Sequence, residues 1–349
     1  MTDVPHNEAV ALLKPTVAEL QELARVDFWC FVVLMFPILH PNQKLVHAHY
    51  LELIATVLMR AEGRVLRRLN FNMPPRHMKS LMISILYVAW RLGRDPSAQF
   101  ICISYGDDLA HTHSAATRKV MQDPTYRQIF PETILEKWAV DHIRTTKGGH
   151  RYATSVGSDI TGFGADEIII DDPMQPDEAT SEKAKDKLRQ WVYSSVLTRF
   201  NDPKHGVLML VMHRLAPDDL SVTFAGAADF ILKLPLICET YEGFEDEENG
   251  KTIFERHPGD VLNPARMNGE EVEKLKATLP AHVFASQYQQ RPTAGGSGML
   301  SVDLFRRYET SETPKFELII HSWDIGATVN GNASVCTRRT TATSYICLM

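Results

Sequence analysis

The feature that most narrows what this chain can fold into is a recurring pattern: a short apolar run, a polar cluster, then a stretch of helical periodicity. Arg68–Met73 (RLNFNM) reads as a buried strand stopped by Pro74-Pro75, and Ser80–Leu92 is apolar on almost every side, as a deeply packed helix must be. Gln99–Ser104 (QFICIS) precedes a helical stretch over Asp107–Met121, where Asp107 or Asp108 can accept from the free first-turn amides. Glu167–Ile170 leads through Asp171-Asp172-Pro173 into a helix whose apolar face is Ala184, Leu188, Trp191, Val192 and Ser195, and Val207–Met212 (VLMLVM) ends at His213-Arg214. Strands joined by helix-length crossovers pair in parallel and need both faces covered. The prediction is an α/β fold with a mostly parallel sheet flanked by helices, preceded by a helical segment in which Leu20, Leu23, Ala24, then Leu51, Ile54, Ala55 and Leu58, fall at helical spacing.

In such sheets ligands bind at the carboxyl ends of the strands. The polar clusters PPRHMKS, SYGDD, DDP and HRLAPDD all follow strands, so four loops are expected to converge on one edge. Arg76-His77-Met78-Lys79-Ser80 sits where a phosphate-binding loop belongs: a lysine at a helix start reaches phosphates, the next hydroxyl ligates Mg2+, and free helix amides receive the anion. Both glycines of the usual pattern are replaced, by Met73 and Met78, and a Lys-Ser pair before an apolar helix also serves as a plain cap. Asp171 and Asp172 end a central strand, where one carboxylate can hold Mg2+ and the other can orient or deprotonate water; an Asp pair before Pro is also a common turn. Together the two elements predict nucleotide hydrolysis, with the lysine facing the acids across a gap sized for a triphosphate.

Composition bounds the rest. The 349 residues allow about two domains, and 44% hydrophobic with 23% charged residues excludes a disordered chain. Five cysteines, without a CxxC pair, speak against a disulfide framework or a structural zinc site and suit a reducing compartment. A net charge of −6 means that nucleic acid must be met by a local basic patch, for which Arg64, Arg67, Arg68 and Arg306-Arg307 are candidates, solvated faces being the alternative. The longest apolar run, Phe28–Phe36, is interrupted by Pro37 and falls short of the ~20 residues of a membrane span. The polar N-terminus is unlike a signal peptide, so a cytoplasmic protein is expected. His47 with His49, and His111 with His113, lie two apart, a spacing that on a helix points the rings in different directions and argues against joint metal ligation. Ser155 and Ser158 lie in no nucleophile elbow. Residues 239–250 read as a solvated acidic loop, 293–298 (TAGGSG) as a linker, and Phe316–Trp323 as a strand ending at Asp324, with a hairpin across Asn330-Gly331.

In order along the chain, PPRHMKS, ISYGDDLA, FPE, DITGFGAD running into IIIDDP, LTRF, VMHRLAPDDL and QYQQRP resemble the large terminase subunit of tailed bacteriophages. The resemblance implies a P-loop ATPase of the RecA-like, ASCE type followed by an RNase-H-like nuclease, and an ATP-driven motor that moves double-stranded DNA into procapsids. It implies a portal protein and a small terminase subunit as partners, a homo-oligomeric ring, and the host cytoplasm. Carried over, Lys79 and Ser80 bind phosphate and magnesium, with Arg76, His77 and Met78 in the loop; Asp171 is the magnesium-side carboxylate; Asp172 stands where many such ATPases have a catalytic Glu; Arg76 matches the loop arginine that stabilises transition-state charge; His213 and Arg214 take the coupling position; and Asp324 is the first nuclease metal carboxylate. The implied organisation is a helical segment 1–60, an ATPase domain 61–290, a linker 291–315 and an incomplete nuclease domain 316–349. A two-metal site needs several acids, so nuclease activity is expected to be lost or incomplete. The alternative is an inactive, truncated prophage remnant that retains only folding or DNA and partner binding.

Overall fold

The computed structural model describes residues 16–245, 250 and 252–293, and the strands 318–325, 332–339 and 345–348. Thr16 opens the described chain as the cap of α1 (Val17–Val26), in a reciprocal capping box with Glu19. Asp27 caps α2 (Phe28–Leu39) by accepting from the Cys30 amide. Pro37 does not stop this helix; it sits in the last turn. After an extended segment comes α3 (His49–Glu62).

The sheet elements follow: β1 (Arg68–Asn72), a π-helical segment Leu81–Tyr87 continued by α4 (Val88–Arg94), β2 (Gln99–Ser104), α5 (Asp107–Gln122), α6 (Pro124–Ile129), β3 (Leu135–Trp138), β4 (His142–Thr145), β5 (His150–Ser155), β6 (Glu167–Asp171), α7 (Glu182–Trp191), β7 (Val207–Met212), α8 (Leu220–Ala225) and β8 (Phe230–Lys233). They build one eight-stranded sheet in the order β3-β4-β5-β2-β6-β7-β1-β8. Every pair from β5 to β8 is parallel, whereas β3, β4 and β5 pair antiparallel.

Alternation along the strands explains why they read as continuous apolar runs. Leu69, Phe71, Phe100, Cys102, Ile169, Met209 and Val211 face one core, shared with the N-terminal helices. Ile101, Ile103, Ile168, Ile170, Leu208, Leu210 and Met212 face a second core under α7 and α8. A strand buried on both faces has no polar alternation to show. The N-terminal helices are built into this body: Trp90 donates its indole N–H to Ala24 O at 2.9 Å, and Phe28 packs edge-on against Tyr87.

Arg64, Arg67 and Arg68 do not form an open basic patch. Arg64 faces Glu167, Arg67 donates to Lys204 O, and Arg68 donates to Gly206 O with its guanidinium 5.1 Å from the Phe200 ring centre. Within the acidic segment 239–250, β9 (Glu242–Glu245) pairs with β10 (Thr252–Arg256), so part of the expected loop is a hairpin; 246–249 lie outside the described residues. A helix α9 (Gly269–Thr278) follows. No helix among the described residues is long and apolar enough to cross a membrane.

The chain divides into two compact units, Met1–Ala294 and Gly295–Met349. In the second, β11 (Leu318–Ile325), β12 (Asn332–Arg339) and β13 (Tyr345–Leu348) form an antiparallel sheet. The turn at Asn330-Gly331, most of the 293–298 segment and Arg306-Arg307 lie outside the described residues.

Candidate nucleotide site

The parallel register brings the polar clusters to one edge: Asn72 pairs with Met212, and Asp171 with both Ser104 and Val211. Between β1 and the π-helical segment the chain makes a tight loop. Arg76 and Met78 both have φ 64°. That left-handed conformation normally falls to glycine. Met78 therefore adopts, with a side chain, the backbone that one missing glycine would supply; Met73, at the other glycine position, does not, and Arg76 is a second left-handed residue within the loop. His77 is buried, its Nδ1 lies 2.9 Å from Pro75 O, and Tyr50 donates to His77 O at 3.4 Å. Burial lowers the His77 pKa, so the ring is neutral and Nδ1–H donates to the Pro75 carbonyl.

Asp171, 1% exposed, accepts from Ser84 Oγ at 2.6 Å and from Ser80 Oγ at 3.1 Å. Lys79 Nζ lies 3.7 Å from its Oδ1 and His113 Nδ1 3.6 Å from its Oδ2. Asp172 has φ 44°, and its backbone is pinned on both sides, N–H to Val211 O and C=O from Tyr105 N. Lys79 donates to its carboxylate, the His213 amide donates at 3.3 Å, and His213 Nδ1 approaches to 3.2 Å without hydrogen-bond alignment. Burial alone would raise the pKa of Asp172, but the Lys79 ammonium and His213 overcome it and hold the carboxyl well below the usual range. Burial pushes His113 below its ordinary value despite Asp171 beside it.

The cluster suits magnesium and phosphate. Adjacent oxygens of an octahedral Mg2+ at 2.0–2.1 Å stand about 2.9 Å apart. Ser80 Oγ and Asp171 Oδ1, hard donors 3.1 Å apart, match that edge. Arg76 is exposed, with no ion pair or hydrogen bond among the described residues.

The structure thus brings together Lys79, Ser80, Asp171, Asp172 and His213, with one difference from expectation: lysine and acids are in direct contact, with no gap between them. Arg214 is turned away. Its Nε sits 2.9 Å from both Asp219 oxygens, its Nη2 donates to Ala216 O, and its amide donates to Gln290 Oε1 at 3.0 Å. It anchors the loop after β7 to Gln290 of the QYQQRP segment. Asp324 lies on β11, and its surroundings are outside the described residues. Sequence reasoning gives no role at this site to Ser84, His113, Asp219 or Gln290, although it weighs His113 as a metal ligand and quotes the clusters HRLAPDD and QYQQRP that contain the last two. Ser84 alone carried a signal: four residues after Ser80, it faces the same way on a helix.

The mostly parallel eight-stranded sheet flanked by helices is a RecA-like fold. It is the fold of the HK97 bacteriophage large terminase, to which the chain is 12% identical over 93% of its own length and 66% of that chain, with a TM-score of 0.50. It is also similar to the large terminase ATPase domain of Thermus phage P74-26 (14% identity, 72% of this chain and 95% of that one, TM-score 0.44). A third likeness is to the large terminase of a thermophilic bacteriophage in complex with ADP (12% identity, 81% and 64%, TM-score 0.42). The chain spans about two thirds of the length of the HK97 protein. No family model and no curated protein matches the sequence.

Proposed function

We propose that this chain is a phage large terminase subunit, an ATPase motor that drives double-stranded DNA into procapsids in the host cytoplasm. It would act as a homo-oligomeric ring with a portal protein and a small terminase subunit. The observation that supports this most is the meeting of Lys79 and Ser80, at the start of a buried helix, with Asp171 and Asp172 at a neighbouring strand tip. Lys79 and the amides of residues 76–80 take the phosphates of ATP. Ser80 and Asp171 would hold Mg2+, which when bound would supply the charge that offsets the phosphate oxygens. As Lys79 turns to the phosphates, Asp172 loses the partner that depresses its pKa. It then becomes a better base for the water that attacks the terminal phosphorus, and ADP leaves as the bond to that phosphorus breaks. Arg76, free and permanently charged, stabilises the equatorial oxygens. His213 contacts Asp172 by its backbone, and Arg214 ties the same loop to Gln290. That path carries a change at the acid to the segment before residue 294. Asp324 is proposed as one metal carboxylate of a nuclease unit.

DNA-stimulated ATP hydrolysis, abolished in Lys79→Ala, is the expected result. The second reading, a chain that folds and binds partners without hydrolysing ATP, is favoured by one observation, the Lys79–Asp172 ion pair that occupies the lysine. A folded protein that fails to bind ATP would decide for it.

A further inference from the structure

A second cluster, at the start of α3, has metal-ligating chemistry. His47 lies in the extended segment before α3, His49 is the first residue of that helix, and Glu52 is one turn on. The expectation that histidines two apart diverge assumed a helix through both. Ala48 between them is extended, φ −152° and ψ 135°, and in an extended chain residues two apart share a face. Their ring centres are 5.1 Å apart and perpendicular. His49 and Glu52 are then neighbours by helical spacing.

His47 Nε2 lies 2.6 Å from Glu52 Oε1, His49 Nδ1 4.0 Å from Glu52 Oε2, and the three donor atoms fall within 4.8 Å of one another. Trp29 holds the His47 ring from the side, with centres 5.8 Å apart. Two imidazoles and one carboxylate form a borderline-soft donor set, which favours zinc-class transition ions over Mg2+. Three protein ligands at a surface leave a position for water, as a site open to exchange requires.

We propose that His47, His49 and Glu52 form a binding site for a divalent transition ion of the zinc class, separate from the magnesium site. A bound ion fixes the first turn of α3, whose next residue, Tyr50, reaches the phosphate loop through His77 O.

The test uses the full chain, treated with chelator and free of nucleotide, titrated with Co2+ and then Zn2+. Expected are the visible bands of four-coordinate cobalt at one equivalent and their displacement by Zn2+. Affinity should fall at least about tenfold in His47→Ala, in His49→Ala and in Glu52→Gln. His47 and His49 are exposed and Glu52 is half-buried, so circular dichroism should be unchanged. Absence of the cobalt bands, or parent-like affinity in all three variants, overturns the proposal, and neither result bears on hydrolysis at Lys79.

Discussion

Arg76 holds a left-handed backbone, φ 64°, on an exposed side chain with no partner among the described residues. For an L-residue that conformation costs about 1–2 kcal/mol. Arg76→Gly removes the cost, while the extra freedom of the unfolded glycine returns about 0.5–1 kcal/mol. The net expectation is a gain of about 0.5–1 kcal/mol. In a unit of this size that raises the melting temperature by about 1–3 °C. Arg76→Ala keeps the strained backbone while removing the same charge, so its stability should match the parent. Both variants should lose ATP hydrolysis to the same large extent, because both lack the guanidinium. Thermal and urea unfolding, run beside a phosphate-release assay, separate the two effects. The reasoning fails if Arg76→Gly is no more stable than Arg76→Ala, or if either variant hydrolyses ATP at the parental rate.

Ser84→Ala removes the 2.6 Å donor to buried Asp171; unfolding free energy should fall by about 1–3 kcal/mol in urea titrations, and the Mg2+ concentration giving half-maximal hydrolysis should rise. Glu167 is fully buried between Arg64 and Arg91, at 3.3 and 3.1 Å, and accepts from Tyr87 at 2.9 Å. Glu167→Gln leaves buried guanidinium charge uncompensated and should cost about 3–5 kcal/mol, measured by chemical denaturation. Asp172 titrates below its unfolded value, so its contribution to stability is complete above about pH 4 and is lost as pH falls towards the depressed folded value. The stability difference between the parent and Asp172→Asn should therefore be flat from pH 7 to about pH 5 and shrink below pH 4; a difference that grows on acidification contradicts the assigned shift.

The central strands were legible because two-sided burial turns them into unbroken apolar runs, as in EIIID and VLMLVM. β3, β4, β5 and β8 were not: LEKW is largely exposed, HIRT alternates, HRYATS is polar at most positions and FILK is a four-residue edge strand, so none carries such a run. Lys79-Ser80 and Asp171-Asp172 were readable from their place between strand and helix. The loop's backbone was not, since glycine is the usual sign of positive φ and Arg76 and Met78 adopt it without being glycine. Nor was the fate of Arg214. Whether an arginine is free or clamped depends on a partner such as Asp219, and that pairing is set by the turn following β7.

The helix after the phosphate loop runs along β6 with polar contacts at both ends of the strand. Ser80 and Ser84 reach Asp171 at the carboxyl end, and Tyr87 and Arg91 reach Glu167 at the other. The two acids are four positions apart, an even number, so both lie on the same face of the strand. The helix is thus fixed in register at its far end by a charged cluster that nucleotide would not touch. At its near end it is held by hydroxyls and an ammonium, which phosphate and magnesium would compete for. Lys79 at 3.7 Å from Asp171 is attracted by roughly 4.5 kcal/mol at an effective dielectric of about 20. Phosphate alone would draw the lysine away and leave two buried acids bare beside another anion. Under the proposed function, magnesium and phosphate arriving together would give each group a new partner, so charge balance would favour the metal complex of the nucleotide over the free anion.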